Sequence, residues 1–312
     1  VGWQQTTLNS GTQSYGLNLT HEALFTGSLS AANATSVTLG EQAAVASAMN
    51  PAQRYYLEII SGAQAGHRID LQSLTAAACL IAADSPNTTL SATAMAGLSG
   101  ARVSVRTHRT LGEVFDPARF KSSAVATSAD QILFYTPAGY STYWLYSSGA
   151  APQWVLSGAS LASMNDAIIP PGTGVMLQIA STAPGPLLST GSVRTTPFAR
   201  PLQTGYNLFA NPWPLDATPA HAGLNSAAIV ASTTFSSSDQ LQLWKGDATP
   251  AASGYLGYWL FQMPGQPVPV WISMGDASLH SQNNATLLRA GRATFIKAQP
   301  KANRAVWIIL PP

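Results

Sequence analysis

The order of motifs in Ala129–Ile179 recurs in Ser238–Ala298, and that recurrence constrains the fold more than any other feature of the chain. The first stretch reads ADQILFY, TYWLY, PQWVL and IPPGTGVMLQI; the second reads SDQLQLW, GYWLF, VPVWIS and LLRAGRATFIKA. Each opens with Asp-Gln into an apolar strand, continues with Tyr-Trp-Leu-aromatic, reaches a further Trp and ends on a glycine-marked apolar strand. Trp144 follows Asp130 by 14 residues and Trp259 follows Asp239 by 20, so the second stretch carries a loop insertion around GDATPAAS. TLNSGTQSYGLNLTHEALFTG (7–27) and PLQTGYNLFANPWPLDATPAHAG (201–223) are similar entry segments, with Gly, then Tyr, then Asn-Leu. The chain therefore reads as two tandem, related β-sandwich or barrel-like units. The first covers 1–195 and contains an inserted β-segment at about 27–115; the second covers 196–312. The Pro-, Gly-, Ser- and Thr-rich stretch at 182–201 joins them.

Local patterning points to an all-β fold. Short runs rich in Val, Ile, Thr, Tyr and Trp alternate with Gly, Pro, Asn and Ser clusters. Such runs are SVTL (36–39), RYYLEII (54–60), ARVSVRTH (101–108), YNLFA (206–210) and AVWIIL (305–310), besides those of the repeat. Helical windows are short; 40–53 and 90–100 each have room for one turn or two.

Only 9% of the residues are Asp, Glu, Lys or Arg and the net charge is +2, against roughly 25% charged in ordinary soluble domains. Little repulsion keeps such a chain from its neighbours, so association with copies of itself is expected. The single cysteine, Cys79, lies in AAACLIAA and reads as a small buried hydrophobe. The sequence starts at Val1 with patterned, strand-like residues, as a secreted chain does after loss of its signal. An extracellular or cell-surface location is expected, and four sequons (Asn18, Asn33, Asn87, Asn284) add little to it. No apolar run approaches the roughly 18–20 residues of a membrane span.

No nucleophile elbow, zinc motif, phosphate loop or calcium loop is present. GTG at 172–174 reads as a turn into a strand. His21, His67, His108, His221 and His280 are scattered without ligand spacing, so no metal or other cofactor is expected. Asp130 and Asp239 recur at strand entries, where backbone hydrogen bonding explains them better than the paired carboxylates of a glycosidase. Alternation in ARVSVRTH places Arg102, Arg106 and His108 on one face, a solvated or partner-facing basic side. It is too narrow for nucleic acid, which needs many phosphate contacts.

LFTGSLSA (24–31), YYLEIISGAQAGHRIDL (55–71) and RTHRTLGEVF (106–115), continued by ADQILFY, TYWLY and IPPGTGVMLQI, resemble a family of secreted bacterial proteins. That family is known mainly from Verrucomicrobia-type genomes and has no established function. The resemblance runs over nearly the whole chain and implies an exported β-protein; it supplies no catalytic residues to carry over.

The aromatic strands are the strongest candidates for recognition. Tyr143 and Leu145 share one face with Trp144 and Tyr146 on the other, and Tyr258 and Leu260 oppose Trp259 and Phe261. Apolar residues on both faces imply a strand covered on both sides; the second cover is the partner repeat, an excursion of the chain or a neighbouring molecule, and a neighbouring subunit is the one expected. Candidate assembly or glycan contacts are Trp3, Tyr143, Trp144, Tyr146, Trp154, Trp244, Tyr258, Trp259, Trp271 and Trp307. The expected function is a non-catalytic extracellular structural protein, self-assembling into a surface filament or layer by β-strand pairing, with terminal strands able to cross between subunits. The alternative is a glycan-binding module or adhesin using Trp and Tyr faces.

Overall fold

Strands form where β-branched and aromatic residues alternate, and left-handed glycines turn the chain between them. The computed structural model describes residues 2–83, 85–180, 185–249 and 252–311. Parts of the connector at 182–201 and of the GDATPAAS insertion lie outside these residues. The described chain is all-β with three short α-helices and four single-turn 3-10 helices.

The opening strands are β1 (Gly2–Thr6) and β2 (Gly11–Gly16). A closed six-stranded barrel follows, made of β3 (Phe25–Ala32), β4 (Ser36–Leu39), β5 (Tyr55–Ile59), β6 (Arg68–Leu74), β7 (Cys79–Ile81) and β8 (Arg102–Thr107) in the order β3-β4-β7-β6-β5-β8. Its interior is filled by alternate residues such as Leu57, Ile59, Ile69, Val103 and Val105, each fully buried, and by Cys79. Helices α1 (Gln42–Ala48) and α2 (Ala92–Ala96) lie in its connections, adding Val45 and Met95 to the same core. After the barrel come β9 (Arg109–Thr110), α3 (Leu111–Val114), β10 (Gln131–Thr136), β11 (Gly139–Tyr146), β12 (Gln153–Leu156), β13 (Ile168–Ile169), β14 (Gly174–Ile179) and β15 (Leu187–Gly191). The remainder is β16 (Phe198–Arg200), β17 (Gly205–Ala210), β18 (Gln240–Trp244), β19 (Tyr255–Phe261), β20 (Val270–Ser273), β21 (Ala293–Ala298) and β22 (Trp307–Ile309).

Two antiparallel five-stranded sheets carry the rest of the molecule. Their orders, β12-β11-β10-β14-β2 and β20-β19-β18-β21-β17, match position by position. A two-stranded ribbon accompanies each, β1 with β15 and β16 with β22. Matching positions repeat the same hydrogen bonds. Asp130 accepts from the Lys121 and Ala180 amides at 2.8 Å each, and Asp239 accepts from Val230 and Gln299 at 2.9 and 2.6 Å. The Trp154 and Trp271 amides donate to the side-chain oxygens of Asn165 and Asn283, while their indoles donate to the carbonyls of Phe115 and Leu224. In the entry segments the matched residues are Gly11 with Gly205 and Gln13 with Asn207. Gln13 Nε2 donates to the Asn9 carbonyl, and Asn207 Nδ2 to that of Gln203, both at 2.7 Å.

The inner faces of the sheets meet. Met176, Leu133 and Tyr135 of the first pack on Leu208, Ala293, Phe295 and Trp244 of the second. The contact is reciprocal: Gly16 N donates to Gly291 O and Ala210 N donates to Gly172 O, both at 3.0 Å, and the four residues occupy matching positions. Glycine is required here by close approach. A Cβ on Gly174 would stand 2.6 Å from Ala293 Cβ, and one on Gly16 would stand 2.8 Å from Ala210 Cβ. The segment between β18 and β19 adds a polar clamp, with Asp247 accepting from the Ser14 amide at 2.8 Å and from Arg292, and Trp244 Nε1 donating to Thr12 O at 2.7 Å.

This arrangement corrects the expectation that a neighbouring subunit covers the second face of the aromatic strands. The outer parts of that face are covered by the segment before each sheet's first hairpin. Trp144 packs with Ala126, Ala129 and Val155, and Phe235 meets Trp259 at 6.1 Å between ring centroids. Both terminal strands, which the sequence leaves open to pairing within the subunit or with the edge of the next one, pair within the chain, β1 with β15 and β22 with β16.

Candidate functional site

Where the two sheets diverge from their contact, a cluster of aromatic rings opens to solvent. Tyr135 on β10 and Tyr140 on β11 come from the first sheet. Tyr206 on β17, Trp244 on β18, Tyr255 on β19 and Phe295 on β21 come from the second. Tyr135 is the hub, with centroids 5.3 Å from Tyr140, 6.3 Å from Tyr206 and 5.4 Å from Phe295, all edge to face. Tyr255 lies 5.1 Å from Trp244 and 5.8 Å from Phe295. Edge-to-face packing satisfies the ring quadrupoles and fixes the rings with few rotamers to lose. Phe295 is buried at the base, whereas Tyr140, Tyr206 and Tyr255 are 45%, 39% and 37% exposed.

The rim is polar. Gln242 Nε2 reaches the Tyr206 hydroxyl at 3.5 Å, and Lys297 Nζ sits 5.8 Å from the centre of the Tyr206 ring. Burial, and then the neighbouring Tyr140 hydroxyl, raises the Tyr255 phenol above its ordinary range, so it stays a neutral donor at any physiological pH. A rigid aromatic floor with hydroxyl, amide and ammonium groups around it can bind a flat partner by stacking and hydrogen bonding.

Of the residues expected to make contacts, Trp244 belongs to this cluster. Trp154, Trp271 and Trp307 are wholly buried, each indole bonded to a carbonyl, and cannot touch a ligand or a neighbour. Trp144 is buried as well; Tyr143, Tyr146, Tyr258 and Trp259 are half-buried against their own sheets. Trp3 stands apart. It is 69% exposed on the β1–β15 ribbon, with Leu188 of the opposing strand 55% exposed.

The expected basic face is also corrected. Arg102 is exposed, but Arg106 donates to the His21 carbonyl and His108 is buried against Asp70, its Nε2 2.9 Å from Oδ1. The reason is tertiary: this outer side of the barrel packs on the rest of the chain. Beside it opens a roomy cleft, lined by Arg54, Tyr55, Asp70, His108, Asp166 and Ile168. Asp70 is fully engaged there, accepting from Ser85 at 2.6 Å and Asn87 at 3.0 Å besides His108. Burial raises the Asp70 carboxyl, but the His108 hydrogen bond and charge, with those of Ser85 and Asn87, outweigh it and hold the group below its usual range. His108 Nδ1 is enclosed away from the cleft. Such a pair anchors the barrel.

No group of three or more His, Cys, Asp and Glu that could hold a metal occurs among the described residues, and no described helix is long and apolar enough to cross a membrane. Comparison with known proteins returns no match, whether to a family model, a curated protein or a solved structure.

Proposed function

We propose that the chain is a non-catalytic structural protein, exported to the cell surface, built from two copies of one β-unit and associating with further copies of itself. The observation that carries this reading is where the charge sits. Of only 15 basic and 13 acidic residues, Glu58, Arg68, Asp70, Asp130, Arg194 and Asp239 are buried. Burial lowers an already small surface charge further, while Trp3 and Leu188 stand out from that surface. Among the described residues β1 has β15 as its one strand neighbour, so its other edge offers backbone groups for a strand of a second copy. Light scattering over a concentration series tests it: wild type associates, and Trp3→Ser shifts the midpoint at least about tenfold upward, as removal of one exposed aromatic anchor does. A wild-type chain that stays monomeric throughout defeats the reading.

The tyrosine cluster supports a second reading, glycan recognition between the sheets. Titration of oligosaccharides followed by tyrosine and tryptophan fluorescence tests it. Binding is expected to be lost on Tyr206→Ser and kept on Trp3→Ser; no response to a broad glycan panel removes it.

A further inference from the structure

The contact between the barrel and the rest of the chain buries more basic charge than acidic. Register along β5 sets Tyr56 between Asp70 and Arg106, and Glu58 between Arg68 and Ser104, all on the barrel's outer face. Arg194, Thr196 and Phe198 close over this face from the segment leading into β16, and Arg109 approaches from β9. The carboxylates are all spoken for. Glu58 takes Arg194 and the Thr196 hydroxyl, with Arg106 Nε at 3.7 Å. Asp70 takes His108, and Glu113 takes Arg109 and His21. Arg68 has no carboxylate; it donates to the Ala199 carbonyl at 3.2 Å and lies 4.1 Å over the Phe198 ring. Arg200 likewise has carbonyls alone, those of Gly172 and Leu208.

The donors left over gather at this contact. Tyr56 Oη, Arg68 Nε, Arg106 Nε and Arg109 Nε are buried without a hydrogen-bond acceptor among the described residues. Tyr56 is 1% exposed and Arg68 4% exposed, so neither can turn to solvent. The charges of Arg194, Arg106, Arg68 and Arg109 all act on the Tyr56 hydroxyl, and burial brings Arg68 and Arg194 down to about 10. Guanidinium groups at that value are still protonated at neutral pH, so the excess charge is real. A small cavity with room for one water-sized particle adjoins the cluster, lined by Tyr56, Arg109, Thr20 and His21 among others.

We propose that this cavity is a binding site for a single halide-sized monoanion, chloride in ordinary solution, accepting from the Tyr56 hydroxyl and the Arg109 Nε–H and locking the barrel to the sheets. A water could accept from the same donors, but only an anion also offsets the buried positive charge. The narrowness of the cavity selects against phosphate and sulfate.

Bromide is the probe. Melting of the intact chain is followed in sodium chloride, bromide, gluconate and sulfate at constant ionic strength, and bromide is located by anomalous diffraction in wild-type crystals. A saturable rise in Tm with chloride and bromide alone is expected, with an anomalous peak within hydrogen-bond distance of Tyr56 Oη. Tyr56→Phe keeps the ring against His108 and weakens the apparent halide affinity about tenfold or more, as loss of a hydrogen bond to a charged group does. Equal melting in all four salts, or a wild-type crystal without a bromide peak at Tyr56, overturns the proposal. The diffraction arm decides even if the variant does not fold.

Discussion

The two sheets share strand order and bonding pattern, yet between their first and second strands they carry very different material. After β2 the first runs through a closed barrel of more than eighty residues before reaching β10; after β17 the second crosses to β18 through a segment, 211–239, that holds no strand. Both routes deliver a carbonyl to the same place, Phe115 for the Trp154 indole and Leu224 for that of Trp271. Each sheet thus specifies its own core, and whatever lies between the strands is tolerated provided it returns to that point. The two routes differ in how they are held. The second is packed by Trp213, Ala222, Leu224 and Ile229 into its sheet's core, whereas the barrel is held to the body by buried charges.

Matched substitutions can break this comparison. Trp154→Ala and Trp271→Ala should each cost about 3–5 kcal/mol, the price of a large buried ring, and by similar amounts in denaturant unfolding. A cost confined to one shows that the sheets do not use their tryptophans alike. Asp130 and Asp239 should then separate. Asp239 pairs with Arg304, Nη1 to Oδ2 at 2.6 Å, and Asp130 has no such partner among the described residues. Asp239→Asn should cost about 3–5 kcal/mol by stranding a buried guanidinium, and Asp130→Asn about 1–3 kcal/mol for its lost amide bonds. Gly174→Ala, which drives a Cβ into Ala293, should cost about 1–3 kcal/mol, and Gly11→Ala, whose Cβ would meet nothing within 4 Å but whose φ is +90°, about 1 kcal/mol.

Acid sharpens the contrast between the two contacts. Asp70, at the barrel contact, is held below its ordinary value, so its contribution is complete above about pH 4 and is lost as pH falls through the lower folded value. Asp247, between the sheets, is raised chiefly by burial, with Ser14 and Arg292 offsetting only part of it. The native state therefore holds its proton longer than the unfolded chain, and stability falls as pH rises above about 4. Asp70→Asn should remove an acid-induced loss in pH-dependent melting, and Asp247→Asn should remove a loss of opposite sign; the same sign in both refutes the assignment.

The strands are legible in the sequence because period-two patterning and left-handed glycines mark them locally, and the matched Asp, Trp and glycine positions carry the common strand order. Barrel closure is not legible, since it depends on β3 meeting β8 across the whole insertion. Nor is the burial of Arg106 and His108, whose strand alternates as a half-solvated one does. The tyrosine cluster escapes a reading along the chain because its members come from separate strands of both sheets. A signal does exist: Tyr140, Tyr206 and Tyr255 each follow a glycine with φ of 114°, 95° and 87°, so each ring is planted at a strand's first turn, where neighbouring strands leave it uncovered.

The central claim is that this chain builds structure by meeting copies of itself. Electron microscopy of the purified protein at increasing concentration tests that most directly. The account predicts ordered filaments or layers that Trp3→Ser thins out or abolishes, and isolated particles at every concentration would contradict it.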